Sequence, residues 1–187
     1  MYIMARLIFL QGGEDVKKRT NFHMFKEILN ISKKKNILVI PWTTESKKKE
    51  KFYRNVYINY FKEVGFKKII FLELSDSFNN AQKKFSKVDV VYIPGGDPSI
   101  LYKRIIKRKI DRLIKSFRGI LIGNSAGAIL LSRGQIEEDK VYPGIGLLDF
   151  FVKVHYKPTE SKIKKGKNEK ITVCIPENLW IVINLPY

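Results

Sequence analysis

Short apolar runs alternate with amphipathic segments along most of the chain. The apolar runs predict strands at 2–10, 36–41, 67–74, 88–93 and 119–122. The amphipathic segments predict helices at 20–34, 46–64, 79–86, 98–117 and directly after Ser125. Near-continuous apolar strands that alternate with helices indicate a parallel sheet covered on both faces. Because such crossovers are right-handed, the pattern predicts an α/β, doubly wound, three-layer sandwich.

The pattern changes after residue 133, where three strand-like runs follow one another with no long helix between them. They cover 150–156, 171–175 and 180–183, and a charged segment that contains a glycine lies at 162–170. The length of 187 residues fits one domain, and neither a linker nor an internal repeat interrupts the sequence. We therefore predict a single domain over 1–187 with a mostly parallel sheet.

Composition indicates the cellular compartment in which we expect the protein to be found. No apolar run approaches the ~20 residues that a membrane-spanning helix needs, and the run at 7–10 is too short for a signal peptide. Cys174 is the single cysteine, so the chain can form no internal disulfide, which fits a reducing compartment. We expect a cytoplasmic protein that has no membrane association, no metal and no other cofactor.

The net charge of +18 raises the hypothesis of nucleic-acid binding. The excess is mostly lysine spread along the chain, and no arginine-rich arm, zinc-ligand spacing or ribonucleoprotein motif is present. In 98–117 the basic residues lie opposite an apolar helical stripe, which is typical of a solvated helix face. We expect weak, non-specific polyanion binding at low salt and no specific nucleic-acid partner.

Residues that could form a functional site follow the carboxyl ends of three predicted strands, at 11–13, at 94–98 and at Ser125. The last end is the most informative, because Gly-Asn-Ser-Ala-Gly at 123–127 is a G-x-S-x-G motif in the strand–turn–helix context of a nucleophile elbow. Its glycines let strand and helix approach closely, and Ala126 leaves its N–H free to face the pocket of the serine Oγ. The motif predicts Ser125 as the nucleophile of a serine hydrolase.

A serine hydroxyl needs a base that takes its proton as it attacks. The chain contains two histidines. His23 lies within the first predicted helix, where a surface or packed position is the simpler interpretation. His155 ends the strand-like run at 150–156, at a carboxyl end of the kind where α/β sheets place their sites. We therefore predict His155 as the base.

The base in turn needs an orienting carboxylate. Glu177 lies in a turn between two strand-like runs, from which its carboxylate could point back over the sheet, whereas Glu160 and Glu169 lie in polar, charged sequence. An ordinary α/β-hydrolase has the acid before the histidine, and the candidates would then be Glu137, Glu138, Asp139 and Asp149. That fold needs further strand–helix units after the elbow, so the order Ser, His, Glu is favoured.

An oxyanion hole requires two backbone N–H groups aimed at one point. Ala126 can supply one, and the Gly95-Gly96 loop can supply the other because glycine lets the backbone approach a substrate closely. The same loop also fits a helix start, with Asp97 as N-cap and Pro98 at the first helical position. The two roles are compatible.

These motifs resemble, in the same order, those of the dipeptidase E/cyanophycinase family of serine peptidases. They are Val-Tyr-Ile-Pro-Gly-Gly-Asp-Pro at 91–98, Ile-Gly-Asn-Ser-Ala-Gly-Ala at 122–128, Gly-Leu-Leu at 146–148 with the His155 strand, and Ile-Pro-Glu at 175–177. The resemblance covers 36–184 and implies a class I glutamine amidotransferase-like, flavodoxin-like sandwich. It implies Ser125 as nucleophile, His155 as base, Glu177 as orienting acid, and Gly96 with Ala126 as the oxyanion hole.

The resemblance also implies hydrolysis of small peptides through an acyl-enzyme. Dipeptidase E carries an arginine after its histidine that reads an aspartate side chain, whereas 156–170 contains no arginine in this chain. Lys157 or Lys162 could replace it as a less selective point charge, so we expect acidic N-terminal residues to be tolerated but not required. The predicted substrate contacts are Gly95, Asp97, Asn124 and Lys157.

Other classes of function stay open on the sequence alone. A catalytically weak family member would keep the fold and act as a binding or interaction protein. A less favoured hypothesis makes the lysines a polyanion-binding surface. Family members typically continue with further strands after the acid, so an open sheet edge here could pair with a second copy in a homodimer.

Overall fold

The computed structural model describes residues 6–138, 140–157 and 171–185. The strands are β1 (Arg6–Gln11), β2 (Asn36–Val39), β3 (Lys68–Phe71), β4 (Val90–Ile93), β5 (Ile120–Asn124), β6 (Gly134–Glu137), β7 (Lys140–Pro143), β8 (Phe151–Tyr156), β9 (Thr172–Pro176) and β10 (Trp180–Leu185). The helices are α1 (Phe22–Ile31), α2 (Lys47–Val64), α3 (Phe78–Ser86), α4 (Pro98–Lys107), α5 (Ile110–Ser116) and α6 (Ala126–Leu131).

The central sheet has six strands in the order β10-β1-β5-β4-β2-β3. The first five strands of the chain run parallel to one another, and β10 lies antiparallel to β1 at one edge. Helices pack on both faces of this sheet. The predicted fold class, an α/β doubly wound and mostly parallel sheet in a three-layer sandwich, is confirmed.

Two separate apolar cores cover the two faces of the sheet, because side chains alternate along each strand. In β2, Ile37 and Val39 are buried in the core formed with α1 and α2, whereas Leu38 is buried in the core formed with α3 to α6. The first core is aromatic, and Phe25 of α1 packs edge-on against Phe61 of α2. The inner strands are covered on both sides, which explains their near-continuous apolar sequences.

The segment predicted as one helix over 98–117 forms two helices. Lys109 takes a left-handed conformation at φ 57° and separates α4 from α5. Ile105 and Ile110 are both buried, yet residues five apart on a continuous helix point roughly 140° away from each other. The break therefore lets both isoleucines reach the same core, a tertiary requirement that the periodicity does not reveal.

Beyond α6 the structure contains two small sheets. β6 and β7 form an antiparallel hairpin, and β8 and β9 form a parallel pair. The hairpin was not predicted, and its apolar side chains Ile136 and Val141 are exposed, so it lacks the buried-strand pattern. In the described ranges, no helix has both the length and the apolar character needed to cross a bilayer.

Candidate active site

Ser125 lies on the sharp turn between the end of β5 and the start of α6. Its backbone has φ 47° and ψ −104°, a strained combination for a residue with a side chain. The strand and helix cross closely, because a Cβ on Gly123 would come within 2.6 Å of the Gly127 carbonyl carbon. The crossing holds the serine at the carboxyl end of the sheet, and its Oγ contacts His155.

His155 lies at an irregular point of β8 and contacts Ser125. The distance from Ser125 Oγ to His155 Nε2 is 2.7 Å. The β8–β9 pairing shifts register between Lys153 and Tyr156, and His155 takes a positive φ of 54° there. Such an irregularity redirects a strand side chain, and here the redirected imidazole reaches the serine.

Glu177 follows β9 directly, and its Oε2 is hydrogen-bonded to His155 Nδ1. β8 and β9 are parallel neighbours, so their carboxyl ends lie side by side and bring the imidazole and the carboxylate together. With the carboxylate accepting from Nδ1–H, Nε2 is the acceptor that faces the hydroxyl of Ser125. The imidazole and the carboxylate are about half exposed, at 53% and 50%.

Three consecutive carbonyls at the end of β1 hold the backbones that carry these side chains. The carbonyls of residues 11, 12 and 13 accept, in that order, the N–H groups of Ser125, His155 and Asn178 at 3.0, 2.9 and 3.0 Å. Asn178 is the neighbour of Glu177. The three side chains come from separate parts of the chain, and this short segment fixes the distances between their backbones.

The same segment must be glycine at two positions because the site packs directly on it. A Cβ on Gly13 would overlap the Glu177 carboxylate and come within 2.6 Å of His155 Cε1, and a Cβ on Gly12 would overlap the carbonyl oxygen of Pro176. The sequence predicts that residues 11–13 end a strand near the site. Their contacts with Pro176, Glu177 and His155 follow only from the tertiary structure.

The loop after β4 lies on the other side of Ser125. A Cβ on Gly95 would sit 3.4 Å from the Cβ of Ser125, and Gly96 has a φ of 136°, which side-chain-bearing residues rarely adopt. Ala126 begins α6, so its N–H has no acceptor within that helix. Asp97 caps α4, accepting from the N–H groups of Ser99 and Ile100.

A cavity of about 1190 Å³ opens beside this loop. Its walls come from the loop after β1, the segment after β2, the first half of α2, the loop after β4 and the end of β5. The lining residues include Glu14, Asp15, Lys17, Thr43, Lys48, Lys49, Phe52, Tyr53, Tyr57, Gly95, Gly96, Asp97 and Asn124. Of the four predicted substrate contacts, Gly95, Asp97 and Asn124 line the cavity, whereas Lys157 is exposed elsewhere.

Glu14 is a residue of this cavity that the sequence analysis missed. Its Oε1 accepts the hydroxyl of Tyr60 at 2.5 Å and the N–H of Asn21 at 3.4 Å. Burial raises the pKa of the Glu14 carboxyl, more than these hydrogen bonds lower it. The available signal was its position, one residue after the glycines that end the first strand.

The remaining candidates lie away from this cluster or outside the described residues. His23 is 83% exposed on α1, 3.9 Å from Glu27. Asp149, an alternative acid, pairs with Arg133 and is 86% exposed. Lys162 and three alternative acids, Asp139, Glu160 and Glu169, lie outside the described residues. Within the described ranges, no group of three or more His, Cys, Asp or Glu side chains is arranged to hold a metal ion.

The sequence matches the model of peptidase family S51 over residues 7–184. No curated protein matches the sequence significantly.

Two solved structures share the fold. A peptidase from an acI-B1 actinobacterium has a TM-score of 0.76 at 19% identity, and the match covers 96% of this chain and 83% of that one. A candidate peptidase E protein from Listeria monocytogenes EGD-e has a TM-score of 0.68 at 19% identity, with 98% and 99% covered. Both similarities concern the three-layer sandwich and not the substrate.

Proposed function

Because the chain belongs to peptidase family S51 and is a serine-type peptidase, we propose that it hydrolyses small peptides through Ser125, His155 and Glu177. The family match confirms the resemblance that the motifs indicated. The observation that carries the proposal is the continuous hydrogen-bonded chain from Ser125 Oγ through the His155 imidazole to the Glu177 carboxylate.

The first chemical step is acylation. Ser125 Oγ attacks the carbonyl carbon of the scissile peptide bond while His155 Nε2 takes the hydroxyl proton. Glu177 keeps the imidazole in the tautomer whose Nε2 lone pair faces the serine, and its negative charge stabilises the imidazolium that forms. The 2.7 Å separation of Oγ and Nε2 is already within hydrogen-bond reach for this transfer.

The negative charge on the substrate oxygen needs donors as it develops. Ala126 N–H at the start of α6 and Gly96 N–H in the facing loop are the proposed pair; Ala126 directly follows Ser125, and Gly95, the neighbour of Gly96, lies against it. The imidazolium then protonates the leaving amine, the C–N bond breaks, and the acyl group remains on Oγ. Water then attacks this ester while His155 again acts as the base. This step releases the carboxylic acid product and restores the Ser125 hydroxyl.

The cavity supports a small, charged peptide as the substrate. It adjoins the Gly95–Gly96 loop and carries charges of both signs, with carboxylates at Glu14 and Asp15 and lysines at its rim. A short peptide with free ends also carries both charges. Acidic N-terminal residues fit this proposal through the cavity lysines Lys17, Lys48 and Lys49, without the need for one dedicated arginine.

The test combines labelling with turnover. A fluorophosphonate probe should label the wild-type protein, and Ser125→Ala should lose both the label and peptide hydrolysis while keeping the same circular dichroism spectrum. Ser116→Ala is the matched control and should label normally, because the Ser116 hydroxyl donates to Leu113 O within α5. Labelling of the Ser125→Ala protein at the wild-type rate would refute the nucleophile. A labelled protein that cleaves no peptide in a dipeptide library would refute the substrate class.

A further inference from the structure

The cavity beside Ser125 contains a carboxylate that takes no part in the proposed chemical steps. Glu14 lines the cavity and directly follows Gly13, the residue whose backbone packs on His155 and Glu177. Consecutive Cα atoms are ~3.8 Å apart, so the loop that holds the base and the acid also delivers Glu14 to the cavity wall. Its side chain is partly buried there.

The partners of Glu14 are all neutral. Its carboxylate accepts from Tyr60, Asn21 and Gln11, and among the described residues no lysine, arginine or histidine lies within ion-pair distance of it. The charge that acts on it most is the neighbouring Asp15, which is also negative. In a chain of net charge +18, a partly buried carboxylate that lines a cavity, with no cation beside it among the described residues, would be stabilised in its charged form by a cation that binds there.

A second observation concerns Asn124, the residue before Ser125. Asn124 is only 5% exposed and lines the same cavity, yet its Oδ1 has no hydrogen-bond partner in the described structure. Its Nδ2 donates to the hydroxyl of Tyr92 at 3.4 Å. Asn124 is the β5 neighbour of Gln11 on β1, and the Gln11 amide donates to Glu14 Oε2 at 3.5 Å, so one residue links Asn124 to Glu14. Buried acceptors without donors are rare in proteins.

Among the groups that line the cavity, Glu14 and Asn124 therefore offer acceptors, and a substrate group that carries donors would match them. An ammonium group offers three N–H donors and a positive charge. A carboxylate, phosphate or neutral acyl group in the same place would face the negative charge of Glu14 or leave the acceptors unsatisfied.

We propose that Glu14, with Asn124, forms a subsite that binds a cationic group of the peptide substrate beside Ser125. The inference rests on the proposed peptidase function. The cation has two possible sources, the free α-ammonium of the peptide and the side chain of a lysine or arginine. Both share the chemistry of the subsite, and the experiment below distinguishes them.

The experiment measures how peptide amides protect Ser125 from labelling by a neutral fluorophosphonate, so it does not depend on turnover. The ligands are Ala-Ala-amide, its N-acetyl form and N-acetyl-Lys-Ala-amide. In the wild-type protein, the cationic ligand that the subsite takes should protect at a concentration ~10- to 100-fold lower than the neutral N-acetyl-Ala-Ala-amide requires. Protection by Ala-Ala-amide identifies the α-ammonium as the source, and protection by the lysine ligand identifies the side chain.

Variants then assign the effect to Glu14. Glu14→Gln keeps an acceptor for Tyr60, and it should bring the protecting concentrations of the charged and neutral ligands to within about twofold of each other. Ser125 should still be labelled in this variant when no ligand is present. Glu63→Gln removes a carboxylate on the surface of α2 that pairs with Arg19, and it should keep the wild-type difference. Tyr60→Phe removes the hydroxyl partner but leaves the carboxylate, and it should keep the difference too.

Three results would overturn the inference. Charged and neutral ligands could protect the wild-type protein equally, or Glu14→Gln could retain the full difference. Asp15→Asn could also abolish the difference as completely as Glu14→Gln does, which would assign the effect to general cavity charge. The proposed function fails in another way, by the absence of Ser125 labelling in any form of the protein.

Discussion

The carbonyl oxygen of Gly12 accepts the backbone N–H of His155 at 2.9 Å, which joins the end of β1 to the end of β8. β8 belongs to a small sheet separate from the central one, so this hydrogen bond connects the histidine directly to the sheet that carries Ser125. Productive proton transfer requires donor and acceptor to be held within a few tenths of an ångström. The loop after β1 therefore fixes the relative positions of the backbones that carry Ser125, His155 and Glu177.

Gly13→Ala should lower turnover strongly with a modest effect on folding. The added methyl would overlap the Glu177 carboxylate and crowd His155 Cε1, so the acid and base must move apart. A displacement of about 1 Å at such a site costs on the order of 100-fold in rate. We expect kcat/KM to fall by at least that order, measured on one peptide substrate together with the Tm.

The control for this variant is Gly146→Ala. Gly146 has a positive φ of 66° but no atom within 4 Å of an added Cβ, so this change introduces backbone strain without displacing the site. It should lower the Tm and leave kcat/KM near the wild-type value. Equal activity of the Gly13→Ala and wild-type proteins would contradict the role assigned to the loop.

His155→Gln should remove nearly all turnover, because the side chain that contacts Ser125 Oγ would no longer accept its proton. His23→Gln should change kcat/KM less than twofold, since His23 is exposed on α1. Steady-state kinetics of the two purified variants on the same peptide decide between the histidines. An inactive His23 variant beside an active His155 variant would show that the base was assigned wrongly.

Glu177→Gln should reduce kcat by on the order of 10⁴, as in triads in which the acid is replaced by its amide. Glutamine has the same size, but its amide can favour the tautomer with the proton on Nε2, which cannot accept from Ser125. Glu137→Gln is the matched control, because Glu137 is an exposed acid of the β6–β7 hairpin, and it should cost less than about tenfold, or ~1.4 kcal/mol. A fall confined to the Glu137 variant would favour the acid-before-histidine order.

Glu14→Gln should raise thermal stability at neutral pH but not at acid pH. Burial raises the folded-state pKa of Glu14 above the unfolded value of 4.5, so the folded protein binds this proton more tightly than the unfolded chain does. The associated stability is fully present below pH 4.5 and is lost as the pH rises through the folded-state pKa. Glutamine stays neutral and avoids this loss.

Calorimetry at about pH 4 and about pH 8 measures the effect, because each kcal/mol regained raises the Tm of a chain of this size by roughly 2–4 °C. Glu63→Gln breaks an exposed ion pair with Arg19 and should not gain stability at either pH. An equal Tm difference between Glu14→Gln and the wild-type protein at both pH values would contradict a buried, proton-linked carboxylate. A stability gain at the expense of ligand discrimination is the usual trade-off at a binding site.

The sequence by itself determined the features that depend on neighbouring residues. Alternation of apolar and amphipathic segments predicts the parallel strands and their helices. The spacing of apolar residues within a segment shows whether one face of the element is buried or both faces are. The Gly-Asn-Ser-Ala-Gly turn predicts where Ser125 lies, because only small residues permit that crossing. Asp97 and Pro98 predict the start of α4 for similarly local reasons.

Tertiary structure decided the features that depend on which distant segments pair. Parallel pairing of β8 with β9 brings Glu177 to His155, and antiparallel pairing of β10 with β1 adds the strand at one edge of the central sheet. The hydrogen bonds of the loop at 11–13 and the break at Lys109 are further examples. Glu14 became a candidate subsite only because the fold lines a cavity with it and, in the ranges that the structure describes, places no lysine, arginine or histidine within ion-pair distance of it. Pairing and burial of this kind arise from contacts between residues far apart in the chain, so no local pattern encodes them.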